Sequence, residues 1–254
     1  MNIGFFDSGI GGLTVLAETR KLLPKENYAY YADTAHAPFG TKTRQEVHGY
    51  VMNAVDFLVK QHMDIIVIAC NTATSIAIED LRARYSIPIV GMEPAVKPAV
   101  TLNKKHKKRV LVTATPLTLQ EEKLKLLLAR IDDDQSVDLL PLPKLVTYAQ
   151  SWEFTPEVIR TYLKEQLPKD LSPYGTIVLG CTHFIYYKHI FRELLPADIE
   201  IIDGNLGTAM NILHIAEKRG PLGQGNGKIV FYDSGTVILD TKKIAGYQEL
   251  LGRM

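Results

Sequence analysis

Cysteine is nearly missing from this chain: 254 residues carry two, Cys70 and Cys181. Two thiols cannot supply the four ligands of a structural zinc site, and the C-x-x-C pair of zinc and dithiol redox motifs is absent. No apolar stretch approaches the roughly 18–20 residues that a membrane-spanning helix needs. The N-terminal stretch MNIGFFDSG lacks the basic-then-apolar layout of a secretion signal. Neither sign of charge dominates; the formal net charge is +1, so no global field points to nucleic acid or an anionic membrane. A nucleotide fingerprint is missing too. In DSGIGG the glycines Gly9, Gly11 and Gly12 have the wrong spacing for G-x-G-x-x-G, and no Walker motif with its lysine follows.

What remains is an ordinary globular composition, 46% hydrophobic and 22% charged, in a chain long enough for two small cores. The expected compartment is the cytoplasm, where thiols stay reduced and a disulfide between the two cysteines is disfavoured. Short apolar runs alternate with helical patterns. Strands are expected at Asn2–Asp7, Tyr28–Asp33, in DIIVIAC, in IPIVGM, at Arg109–Thr115, near SVDLLPL, in TIVLGC and in IEIID. The intervening helices include Leu13–Leu23, Gln45–Lys60 and Thr74–Tyr85, and the tail from Val230 suggests a short strand and then a helix. Continuous apolar strands separated by helices indicate α/β architecture with parallel sheets covered on both faces. The basic run Leu102–Arg109 reads as a solvated helix end and turn, and Gly220–Lys228 as a connector.

DIIVIACNTAT and GTIVLGCTHFI are the same kind of segment: an apolar strand, a small residue, a cysteine and hydroxyl-bearing neighbours. NIGFFDSG and KRVLVTATPLT share that style, which fits two similar open, mainly parallel-sheet α/β domains facing each other across a cleft. Ligands of such sheets bind beyond the C-terminal strand ends, where Asp7, Ser8, Cys70, Thr115, Thr118 and Cys181 all fall. Inert core cysteines are the plain alternative. Against it, each thiol sits where a strand stops and a helix starts, a place that favours thiolate. Asp7 is the proton partner available to one thiol and His183 to the other. Dithiol redox prefers cysteines close in sequence, and nucleophilic catalysis leaves one cysteine unused. Proton transfer on both faces of one carbon uses both.

Beyond this reading, FDSGIGGLTVL, ADTAHAPFGTK, VIACNTATS, VGMEPAVKPA and LGCTHF resemble, in order, the motif series of the glutamate racemase family within the cofactor-independent Asp/Glu racemases. The likeness implies acid/base roles for Cys70 and Cys181, assisted by Asp7 and His183 respectively. It implies a glutamate pocket lined by Ser8, Pro38, Phe39, Gly40, Asn71, Thr72, Thr115, Thr118 and Thr182. It further implies no metal or cofactor, D-glutamate made for peptidoglycan, a homodimer, and a discontinuous first domain (residues 1–92 plus 205–254) around a second (93–204). An aspartate racemase and a non-catalytic dicarboxylate-binding module are the alternatives. Some residues depart from the family pattern: His36 stands in place of Arg, Phe39 in place of Tyr, and PKLVTYAQ, with Tyr148, ends in Gln150 where an acidic residue is usual.

Overall fold

The computed structural model describes residues 1–104 and 106–253. Its strands are β1 (Asn2–Asp7), β2 (Asn27–Ala32), β3 (Ile65–Ile68), β4 (Ile89–Gly91), β5 (Arg109–Ala114), β6 (Val137–Pro141), β7 (Tyr174–Leu179), β8 (Glu200–Asp203), β9 (Ile229–Asp233) and β10 (Thr236–Val237). They form two sheets, ordered β10-β9-β2-β1-β3-β4 and β6-β5-β7-β8. Every pairing is parallel except β9 with β10. The central strands read as apolar runs because helices cover both faces. Phe5 and Phe6, adjacent in sequence and pointing to opposite faces of β1, are both fully buried.

The helices are α1 (Leu13–Leu22), α2 (Arg44–Lys60), α3 (Asn71–Arg84), α4 (Val96–Lys104), α5 (Pro116–Gln120), α6 (Glu122–Ile131), α7 (Pro143–Gln150), α8 (Pro156–Gln166), α9 (Lys188–Leu194), α10 (Asn205–Arg219) and α11 (Thr241–Gly252). Their starts follow local chemistry. Thr43 and Glu46 form a reciprocal capping box at α2, Thr115 caps α5 with Pro116 in the first turn, and Asp240 caps α11. One apolar cluster joins both sheets through α1, α10 and α11: Phe5 and Tyr30 belong to it with Leu111, Ile177, Ile212 and Tyr247. Each fully buried side chain of this size contributes roughly 1.5–3 kcal/mol, which makes the relative placement of the sheets a property of the core.

Two expectations needed adjustment. Helix α3 begins at Asn71, not Thr74, because Cys70 itself serves as the N-cap. The C-terminal tail holds a two-stranded hairpin, since Ser234 (φ 47°) and Gly235 (φ 88°) both take the left-handed conformation of a tight turn between β9 and β10. β9 then extends the first sheet beside β2, with Tyr28 opposite Ile229. Of the basic run 102–109, Lys105 lies outside the described residues, as does Met254 at the end of the tail. Lys108 donates to the Ser172 carbonyl and Arg109 pairs with Asp138 at 2.6 Å, so these two cations serve the fold. Among the described residues, no helix is long and apolar enough to cross a membrane.

Candidate active site

Two pairs of adjacent strand ends, one from each sheet, build the site. β1 delivers Asp7 and Ser8, and its neighbour β3 delivers Cys70; β5 delivers Thr115, and its neighbour β7 delivers Cys181. Cys70 caps α3, its Sγ accepting from the Ala73 amide at 3.5 Å and lying 3.7 Å from Ser8 Oγ. Cys181 opens a single 3-10 segment, Thr182–Tyr187, and its Sγ lies 3.8 Å from His183 Nδ1. Side chains from the two sheets meet directly. Thr182 Oγ1 donates to Asp7 Oδ2 at 3.0 Å, and the Tyr186 hydroxyl donates to the Ile10 carbonyl at 2.7 Å. The hydroxyls of Thr72, Thr115 and Thr118 form a triangle with edges of 2.9–3.0 Å. Beside it, Asn71 is buried with neither amide oxygen nor amide nitrogen hydrogen-bonded. Buried amides are nearly always paired, so the Asn71 amide stands out as a polar group at this place with no partner among the described residues.

Close approach requires glycine at two places. A Cβ on Gly11 would come within 2.4 Å of Thr182 Oγ1 and 2.5 Å of His183 Nδ1. A Cβ on Gly9 would lie 1.5 Å from the Gln150 side-chain nitrogen. The turn is held down by Tyr30, whose hydroxyl donates to the Gly9 carbonyl at 2.7 Å. The amides of Gly9 and Gly12 face the Asp7 carboxylate, so the negative charge held by this glycine turn is the chain's own.

Burial dominates the electrostatics. It lifts the Cys70 thiol to about 12, with Asp7 adding to the rise and the amides of Ala73 and Ser8 and the Ser8 hydroxyl opposing it. It lifts Cys181 well above the usual thiol range, and a charge on Cys70 lifts it further. The helix-terminus effect expected to favour thiolate is therefore outweighed by removal from water. Asp7, fully buried, is pushed up to about 6 despite bonds from Gly9, Thr182 and Gly12. Burial alone pushes His183 down to about 3, so this imidazole is neutral.

The structure gathers Asp7, Ser8, Cys70, Asn71, Thr72, Thr115, Thr118, Cys181, Thr182 and His183, all buried, into one region between the sheets. Gly40 is part of it, since a Cβ there would meet Thr115 Cβ at 2.9 Å. Pro38 is peripheral, lining an adjoining groove with Gln150 and Trp152. The Phe39 ring is fully buried in the apolar cluster that also holds Cys70, 6.1 Å from the Phe6 ring and 6.0 Å from Tyr50, where an aromatic ring without a hydroxyl gains by leaving water. His36 stacks on Tyr50 at 3.8 Å and bonds Asp33 at 2.8 Å, a structural role. Asp7 reaches Cys70 through its charge, its hydrogen bonds going to Gly9 and Thr182. Sequence reading did not assign Gln150 to the site, yet its side-chain nitrogen lies 2.6 Å from His183 Nε2. Its position in the chain carried only one signal, the loss of an acidic residue. Among the described residues no group of three or more His, Cys, Asp or Glu side chains is arranged to hold a metal ion.

Residues 14–210 match the family model for Asp/Glu/Hydantoin racemase. The chain belongs to that family. It is 50% identical over 254 residues to the glutamate racemase of Halothermothrix orenii, covering 99% of both chains. It is also 50% identical to glutamate racemase 2 of Bacillus subtilis, over 98% of this chain and 95% of that one. Among solved structures, it superposes on Escherichia coli glutamate racemase, crystallised with L-glutamate and the activator UDP-MurNAc-Ala, with a TM-score of 0.84 at 26% identity over 99% of this chain and 94% of that one. The Francisella tularensis glutamate racemase in complex with D-glutamate gives 0.82 at 26% identity, over 100% and 94%. The fold is that of the racemases, which are isomerases.

Proposed function

We propose that this racemase interconverts L- and D-glutamate by direct proton transfer at Cα, with Cys70 and Cys181 as the two acid/base groups on opposite faces of the carbon. The observation that carries this reading is that strand ends of different sheets bring two buried thiols into one region spanned by the Thr182–Asp7 hydrogen bond, with Cys70 Sγ 3.7 Å from Ser8 Oγ and Cys181 Sγ 3.8 Å from His183 Nδ1. A charge on one thiol there opposes a charge on the other, which disfavours two thiolates and leaves one thiolate with one thiol, the state in which one group takes a proton and the other gives one. An entering α-ammonium group brings positive charge to the thiols and offsets part of the burial penalty that keeps them protonated.

Asp7 assists Cys70 and His183 assists Cys181. By likeness to the family, Cys70 deprotonates D-glutamate and Cys181 deprotonates L-glutamate. The unpaired Asn71 amide, the Thr72–Thr115–Thr118 hydroxyls and Ser8 bind the carboxylates through neutral donors, Thr182 lines the pocket with its hydroxyl proton committed to Asp7, and Pro38 and Gly40 close the rim. Donors held in place before the reaction stabilise the enolate-like charge that develops as the Cα proton leaves. The chain divides into residues 1–92 plus 205–254 and 93–204, with the site at the interface, and acts as a cytoplasmic homodimer that supplies D-glutamate for peptidoglycan.

The test is to incubate L-glutamate with the protein in D₂O, following deuterium at Cα together with optical rotation. Cys70→Ala and Cys181→Ala should each abolish racemisation; near-normal racemisation by either variant overturns the two-thiol reading. A panel with aspartate decides the substrate, because one methylene in a pocket is worth only about 1–3 kcal/mol.

A further inference from the structure

His183 sits between two nitrogen-facing environments that differ in kind. Its Nε2 lies 2.6 Å from the Gln150 side-chain nitrogen, and its Nδ1 lies 3.8 Å from Cys181 Sγ and 3.5 Å from Thr182 Oγ1. An amide nitrogen carries two protons and no free lone pair, so Nε2 must accept. A neutral imidazole has one N–H, which is then on Nδ1. Thr182 leads independently to the same tautomer. Its hydroxyl proton is given to the Asp7 carboxylate at 3.0 Å, which leaves the Thr182 oxygen as an acceptor toward Nδ1. The amide is itself firmly seated: Gln150 ends α7 and packs on Gly9, where any Cβ would lie 1.5 Å from its nitrogen.

We infer that Gln150 is a positioning residue that locks His183 in the neutral Nδ1–H tautomer, turning a permanent hydrogen-bond donor toward Cys181. This rests on the two-thiol reading for its consequence, not for its geometry. With Nδ1 protonated, His183 has no lone pair facing the thiol and does not take the Cys181 proton. It steadies the thiolate whenever Cys181 has given its proton to Cα or waits to accept one. The usual acidic residue at this position would do the reverse, accepting from Nε2–H and presenting either a lone pair or a cation to the sulfur. The ionisable groups nearest to His183 or on the elements packed against it include Cys181 and Tyr186 beside it, Asp7 from β1 through Thr182, Glu18 from α1, Tyr148 from α7 and Lys188 from α9. None of them offsets the burial that keeps the ring neutral.

The experiment uses the full chain labelled with ¹⁵N-histidine. Two-bond ¹H–¹⁵N correlations report which ring nitrogen bears the proton, and the His183 signals are identified by their loss in His183→Gln. The wild-type protein should show a pyrrole-type Nδ1 and a pyridine-type Nε2 from pH 6 to 8. Gln150→Glu should move the proton to Nε2 and add an ionisation to the pH profile of kcat. It should also lower kcat/KM by about 10- to 100-fold, the range for losing a hydrogen bond to a charged group. The loss must be equal for both enantiomers, because the equilibrium constant of racemisation is one. Gln150→Met, which keeps the shape and removes the donor, should give a mixture of tautomers and no new ionisation. A wild-type His183 protonated at Nε2 overturns the inference, as does a Gln150→Glu protein with unchanged tautomer and pH profile. Failure of the two-thiol reading would appear separately, as racemisation by Cys181→Ala.

Discussion

Replacing Asp7 by Asn should make the protein more stable at neutral pH relative to acid, and the amount can be worked out. The Asp7 carboxyl is pushed from the ordinary 3.8 up to about 6, burial being the largest cause. Between those values the folded chain holds a proton that the unfolded chain has released. A raised folded-state pKa means stability present in acid and lost as pH rises through the window. At 1.36 kcal/mol per unit, the loss is about 2 kcal/mol between pH 4 and 7, because at pH 4 the unfolded carboxyl is itself partly protonated. Asn has no proton to lose. Its changed bond with Thr182 adds only an offset independent of pH, because a protonated Asp7 makes a similar exchange. The stability difference, variant minus wild type, should therefore climb by about 2 kcal/mol as pH rises from 4 to 7. His183 contributes with opposite sign: its pKa is lowered from 6.5 to about 3, so stability is lost as pH falls through that range. It is common to both proteins and cancels in the difference, whereas in the wild type alone it opposes the Asp7 effect. Urea unfolding midpoints at pH 4, 5, 6 and 7 measure this. A difference that stays flat or falls with pH would refute the placement of Asp7 as a buried carboxyl whose charge is penalised by removal from water.

Other outcomes follow from the same geometry. Thr72→Val removes one corner of the hydroxyl triangle and should raise the glutamate KM about 10-fold, the worth of one hydrogen bond to a charged group, while unfolding free energy changes by about 1 kcal/mol; an unchanged KM would remove the triangle from the binding site. Gly9→Ala should lower stability and kcat together, since the new Cβ collides with Gln150. Adding Gln150→Gly should recover the stability but not the rate, and a double variant no more stable than Gly9→Ala would show that the collision is not the cause. Both thiols are buried with raised pKa values, so iodoacetamide at pH 8 should alkylate them far more slowly than a free cysteine. Modification at the free-thiol rate, read by mass spectrometry, would contradict the closed site.

Much of the molecule was legible in order along the chain. An apolar strand such as Ile65–Ile68 must be buried on both faces, so alternation of such runs with helices already specified parallel α/β sheets. The motifs at Asp7, Cys70, Thr115 and Cys181 were visible because each stands at a strand's C-terminal end, a position set locally by the strand and the helix after it. What the linear pattern could not carry was anything that depends on distance between elements. That the Phe39 ring belongs to the core, that Asp7 bonds Thr182 instead of Cys70, and that Gln150 reaches His183 across 33 residues follow from how α7 and the two sheets pack. The proton affinities were likewise decided in three dimensions. A helix terminus beside a cysteine can be read from sequence and favours thiolate, but removal from water acts on every atom around the sulfur, and only the assembled fold determines how complete that removal is.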